Sequence, residues 1–122
     1  MPQHPIVHIE IAAKDREAAG KFYSEVFGWN VQQLPEMNYA TFEAEGGPGG
    51  GFNPVDNKPP APVVVYINTD NIDTTLKRIQ ELGGKVLQPK DDIPDMGQFA
   101  IFADPTGNAI GLFQPLTGEP SA

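Results

Sequence analysis

With 122 residues, the chain is long enough for one domain with its own core and too short for two independent ones. Eight basic residues against 16 acidic ones leave a net charge of -8 with no cluster of lysine or arginine, which excludes a nucleic-acid phosphate surface. The absence of cysteine excludes disulfides, thiolate metal sites and cysteine nucleophiles, and no apolar run reaches membrane length.

Residues 6–12 read as a buried strand, with Ile6, Val7, Ile9 and Ile11 supplying branched side chains. Asp15 is placed to cap a helix that carries Phe22, Tyr23, Val26 and Phe27 at helical spacing, read as core, and stops at Gly28. Strands are expected over Trp29 to Leu34, over Asn38 to Glu45, and briefly over Gly50 to Asn53. The glycine run 46–51 lacks a following Lys-Ser/Thr and a helix, so a phosphate loop fails on context. It reads as a mobile loop, able to act as a lid, or as a close backbone approach. Residues 54–62, rich in proline, form a stiff linker. A strand over Val63 to Asn68 follows, then a helix over Ile72 to Leu82 capped by Asp70 or Asn71 and closed by Gly83 and Gly84. Strands over Lys85 to Gln88, Gln98 to Ala103 and Ala109 to Gln114 complete the plan, the last two joined by the turn Asp104-Pro105-Thr106-Gly107-Asn108. From Thr117 onward the tail reads as frayed.

The plan is stated twice, about 55 residues apart. In each copy an acidic residue, Asp15 or Asp70, stands 13 positions before a glycine, Gly28 or Gly83. A repeat of this size means two copies of one module, about 5–53 and 63–115, in a single domain over 1–122. The fold class is α+β: two copies of a β-α-β module sharing a sheet, with the helices on one face and a concave face opposite.

Alternation assigns the strand residues to faces. Ile9, Ile11, Ala40, Phe42, Val63, Val65, Ile67, Ile110 and Leu112 fall on the helix side. The opposite, concave face receives His8, Glu10, Thr41, Glu43, Val64, Tyr66, Asn68, Gly111 and Phe113. A face that mixes polar and aromatic groups in this way suits a small-molecule cleft. His8 and Glu10 share it at i and i+2, roughly 6.5 Å apart along the strand, and form a pair able to move protons near neutral pH. They are the candidate catalytic residues. Thr41, Glu43, Asn53, Val64, Tyr66, Asn68, Gly111 and Phe113 are the candidate ligand contacts, while Trp29 reads as a packing residue.

Three motifs carry a family likeness: His8-Ile9-Glu10-Ile11 ahead of Asp15; Phe22-Tyr23-Ser24-Glu25-Val26-Phe27-Gly28-Trp29; and Asp104-Pro105-Thr106-Gly107-Asn108-Ala109-Ile110-Gly111-Leu112. Together they resemble the vicinal oxygen chelate superfamily of glyoxalase I, bleomycin-resistance proteins and extradiol dioxygenases, over residues 5 to 115. The resemblance is strongest to small glyoxalase-like proteins related to lactoylglutathione lyase, and it implies two tandem βαβββ modules forming a cupped mixed sheet with the helices on the convex face, and usually a homodimer. It also implies a divalent ion held by His and Glu side chains from four strands. Of those positions only His8 carries a ligand; Gly50 to Asn53, Val63 or Val64, and Gly111 supply none. The expectation is therefore no metal and no cofactor, a small-molecule ligand, and isomerase or lyase chemistry if the protein is an enzyme. A drug- or metabolite-sequestering protein is the alternative, and a metal-dependent glyoxalase or dioxygenase with displaced ligands the second. No nucleic-acid or membrane partner is expected, and a cytoplasmic location is the default.

Overall fold

The computed structural model describes residues 4–55 and 60–116. Residues 56–59 of the linker between the modules and the tail from Thr117 lie outside that range. The described residues form eight strands and two helices in the order β1 (Ile6–Ala13), α1 (Arg16–Phe27), β2 (Asn30–Leu34), β3 (Tyr39–Glu43), β4 (Gly49–Pro54), β5 (Val63–Asn68), α2 (Ile72–Glu81), β6 (Lys85–Ile93), β7 (Gly97–Ala103) and β8 (Ala109–Pro115). This is the α+β plan of two βαβββ modules. The contacts divide into two units, one over His8–Val64 and the other from Val65 onward together with the N-terminal residues as far as Val7.

In the first unit the strand order is β2-β3-β4-β1, antiparallel except for the parallel pair β1–β4. Asp15 caps α1 by accepting from the amides of Glu17 at 3.1 Å and Ala18 at 3.0 Å, and Gly28 ends it at φ 74°. The buried core is Ala40, Phe42 and Phe52, with Ile9, Ile11, Ala19, Tyr23, Trp29 and Val31 packed against it. Its aromatic rings form a continuous stack. Tyr23 lies 4.9 Å from Trp29, Trp29 4.5 Å from Phe42, and Tyr23 5.6 Å from Phe52. Trp29 is thus a packing residue. It stands just before β2 rather than in it. Of the four apolar residues read as core on α1, only Tyr23 packs there; Phe22, Val26 and Phe27 are each more than half exposed. Spacings of four connect 22 to 26 and 23 to 27, which are two neighbouring stripes; Ala19, Gly20 and Tyr23 face the sheet, while Phe27, at the last helical position, keeps ring contacts to Tyr23 and Trp29 but stays exposed.

A 3₁₀ turn over Pro35–Met37, which the sequence reading lacked, precedes β3, with Asn38 left-handed at φ 51°. The strand therefore starts at Tyr39 and stops at Glu43, two residues short of Glu45. Half of the glycine run belongs to β4, so a lid over 46–51 is set aside in favour of the close approach. At Gly50 an added Cβ would fall 1.8 Å from the Ile9 carbonyl oxygen. Only a residue without a side chain lets β4 lie this close to β1.

In the second unit the order is β5-β8-β7-β6, with β5 and β8 parallel. Asn71, not Asp70, caps α2 through the amide of Thr74 at 3.0 Å. The Gln114 side chain accepts from the amide of Ile72 at 2.8 Å and ties that helix end to β8. Ile72, Leu76, Ala100, Phe102 and Leu112 form the core, joined by Ile67, Ile79, Val86 and Ile110. Val63, placed on the helix side by alternation, is instead 53% exposed. The other departure is β6, which runs on to Ile93 rather than stopping at Gln88. Pro89 has no amide to donate, and the strand absorbs it at the edge of the unit with register shifts on either side of Gln88.

Asp104 organises the β7–β8 turn. Its carboxylate accepts from the amides of Thr106 and Asn108, the Thr106 hydroxyl and the Asn108 amide group, at 2.9–3.1 Å. These donors, the Asn108 amide foremost, lower its pKa from 3.8 to about 2. A depressed carboxylate pKa contributes stability above the unfolded value, and that contribution is lost as pH falls toward the folded one. Between pH 4 and pH 2 the melting temperature should therefore fall more steeply for the native chain than for Asp104→Ala. Parallel acid melts of the two proteins would remove this account of the turn.

Candidate functional site

The polar cluster of the first unit is built on β1, β3 and β4. In the β1–β4 register His8 stands beside Gly49, Glu10 beside Gly51 and Ala12 beside Asn53. Ile9 and Ile11 pack into the core on one face, so His8 and Glu10 project from the other. The His8 Nε2 and a Glu10 carboxylate oxygen are hydrogen-bonded as an ion-pair contact. The same carboxylate oxygen accepts from the Tyr39 hydroxyl at 2.5 Å, and the other accepts from the Asn53 side-chain amide. Tyr39 also lies 3.4 Å from His8 Nε2. One carboxylate thus gathers three side chains, with Glu10 13% exposed at its side chain and His8 38%.

His8, Glu10 and Asn53 were singled out from the sequence, and the fold brings them together. Tyr39 was missed. It has the parity of Thr41 and Glu43, so alternation along β3 would have found it had the face been followed back to the strand's first residue. Thr41 is half-buried on the same strand, beside Gly51, and Glu43 is exposed beyond it. Neither has a side-chain hydrogen bond to the cluster among those described.

The remaining candidates lie on β5 and β8. Val64, Asn68, Gly111 and Phe113 are buried, and Tyr66 is half-buried. Tyr66 and Gly111 are register neighbours, and the tyrosine ring lies over the glycine: a Cβ at residue 111 would meet two ring carbons at 2.4 Å. The backbone of Asn68 is tied to the N-terminal arm, its amide donating to the Pro5 carbonyl at 2.8 Å and its own carbonyl meeting His4 Nδ1 at 2.9 Å.

The four-strand ligand set implied by the family resemblance can be tested against these positions. Gly51 on β4 and Gly111 on β8 carry no side chain, and a tyrosine fills the space over each. Val64 offers no donor atom, and among the described residues no group of three or more His, Cys, Asp or Glu converges as metal ligands. The residues present do not fit a chelated divalent ion.

Comparison with known proteins agrees with this fold. A protein family model described as Glyoxalase/Bleomycin resistance protein/Dioxygenase superfamily matches residues 5–112. A glyoxylase-like domain-containing protein of Didymella fabae is 35% identical over 113 residues, which cover 85% of this chain and 88% of that protein. CFP32 of Mycobacterium tuberculosis, named as a candidate glyoxylase, is 31% identical over 121 residues, covering 87% of this chain but 44% of CFP32, so the chain spans less than half of that relative. Among solved structures, methylmalonyl-CoA epimerase in complex with methylmalonyl-CoA and NH4+ shares the fold with a TM-score of 0.66 at 17% identity, over 98% of this chain and 99% of that one. The chain belongs to the glyoxalase/bleomycin resistance protein/dioxygenase superfamily.

Proposed function

We propose that this chain binds a small organic molecule without a metal, and that His8 and Glu10 move a proton on it. The observation that carries the reading is the hydrogen-bonded cluster of His8, Glu10, Tyr39 and Asn53, built where the metal ligand set is missing. A carboxylate held from both oxygens has a fixed position and in turn fixes the imidazole beside it. It also stabilises the ring when it becomes charged, so the histidine can take a proton from a ligand and the carboxylate balances the charge. Returning that proton at the same or a neighbouring atom is isomerisation; returning it to a departing group is lyase chemistry. Neither needs an electron acceptor. The epimerase among the fold neighbours supports the isomerase side. The homodimer implied by the resemblance belongs to the same proposal, and a light-scattering mass of one chain would remove it.

The sequestering alternative rests on one observation. Both oxygens of Glu10 are already engaged by protein donors, so the cluster is complete before any ligand arrives. A thermal-shift screen of metabolites and antibiotics separates the readings, because a ligand that prefers the folded state raises the melting temperature. The ligand found is then incubated with the protein in heavy water. Proton transfer predicts deuterium incorporation that His8→Ala abolishes; a bound ligand that never exchanges makes the protein a sequestering one.

A further inference from the structure

We infer that Tyr39 is the residue that keeps this site closed to a cation, an inference that rests on the metal-free reading above. The geometry is specific to β3 and β4. An added Cβ at Gly51 would fall 1.6 Å from the Tyr39 hydroxyl oxygen and 2.0 Å from its ring carbon. That hydroxyl donates to Glu10 at 2.5 Å and lies 3.4 Å from His8 Nε2. It therefore occupies the space where a side chain from residue 51 would start, next to the two groups able to ligate an ion.

Two effects act together. The first is steric: the phenol fills the volume between His8, Glu10 and β4. The second is the use of donor atoms. The Glu10 oxygen that meets His8 Nε2 is the one that accepts from Tyr39, so both ligand atoms are committed to protein partners. A divalent ion bound by N and O atoms needs them about 2.0–2.2 Å away with lone pairs directed at it. It would have to displace the phenol and break the His8–Glu10 contact to obtain two ligands, and among the described residues no third His, Cys, Asp or Glu converges on them. Tyr39 thus acts as a positioning residue: it turns Glu10 toward His8 and away from an ion.

The test is a gain of function that structural damage would not produce. Zinc and nickel are titrated calorimetrically into tag-free native protein, Tyr39→Ala, and the double variant Tyr39→Ala/Gly51→Glu, with folding checked by circular dichroism. The native chain is expected to hold far less than one equivalent of metal, both after purification and on titration. The double variant, with His8, Glu10 and a carboxylate from residue 51, is expected to bind one ion at least about tenfold more tightly than the native chain. Adding His8→Ala to it should cancel the gain. Should the double variant not fold, Tyr39→Ala alone carries the test, since freeing the Glu10 oxygen should already strengthen binding. Native protein carrying a full equivalent of metal overturns the metal-free reading and this inference with it. A metal-free native chain whose folded variants bind no better overturns the inference alone.

Discussion

Phe52→Ala is expected to destabilise the protein by about 3–5 kcal/mol, a large fraction of the roughly 5–15 kcal/mol that holds an ordinary domain together. The ring is fully buried and makes aromatic contacts with Tyr23 on α1 and Phe42 on β3. Its own strand cannot compensate, since residues 49, 50 and 51 before it are all glycine. Truncation thus removes the largest core side chain of β4 and leaves a cavity bounded by rigid rings, which collapses poorly. Urea unfolding followed by circular dichroism should show an earlier midpoint at an unchanged slope. A loss below about 1 kcal/mol would mean that the stack repacks, and that the rings are less interdependent than their geometry implies.

Glu10→Ala is expected to slow proton transfer on the ligand by about 10²–10⁴-fold, the range that a positioned acid–base group contributes. The substitution removes the acceptor of His8, Tyr39 and Asn53 at once, so the imidazole loses both its orientation and its counter-charge. Stability should change little by comparison. Tyr39 and Asn53 are only half-buried and His8 is 38% exposed at its side chain, so water can replace the lost acceptor. Rates should fall from the native chain to Asn53→Ala and again to Glu10→Ala, the most impaired of the three. A variant at residue 10 that turns over normally while binding more weakly would reduce the cluster to a binding surface.

Much of this architecture could be read in advance because its signals are local. Asp15, Gly28 and Gly83 mark helix ends through their own backbone chemistry, and the second copy of the pattern supports the first. The errors came where a local signal has two readings. Pro89 looks like a terminator, yet an edge strand tolerates it at a bulge. Helical spacing on α1 does not say which of two adjacent stripes faces the sheet, so Phe22 and Val26 looked buried; nor does it say how far along the inward stripe burial extends, and Phe27 at the helix end is exposed. For the site, strand parity placed His8 and Glu10 on one face. It could not show that Asn53 and Tyr39 would converge on the carboxylate, because that depends on the register between β1, β3 and β4, and register is a property of pairs of strands.

The aromatic stack gives the first unit an optical signature of its own. Trp29 is the single tryptophan of the chain, and it lies parallel to within 10° of Tyr23 and 15° of Phe42. Its fluorescence therefore follows the loosening of that unit alone, while the amide backbone signal averages over both. If the two units melt independently, emission and ellipticity will trace different curves, and the half that carries His8 and Glu10 can be watched by itself.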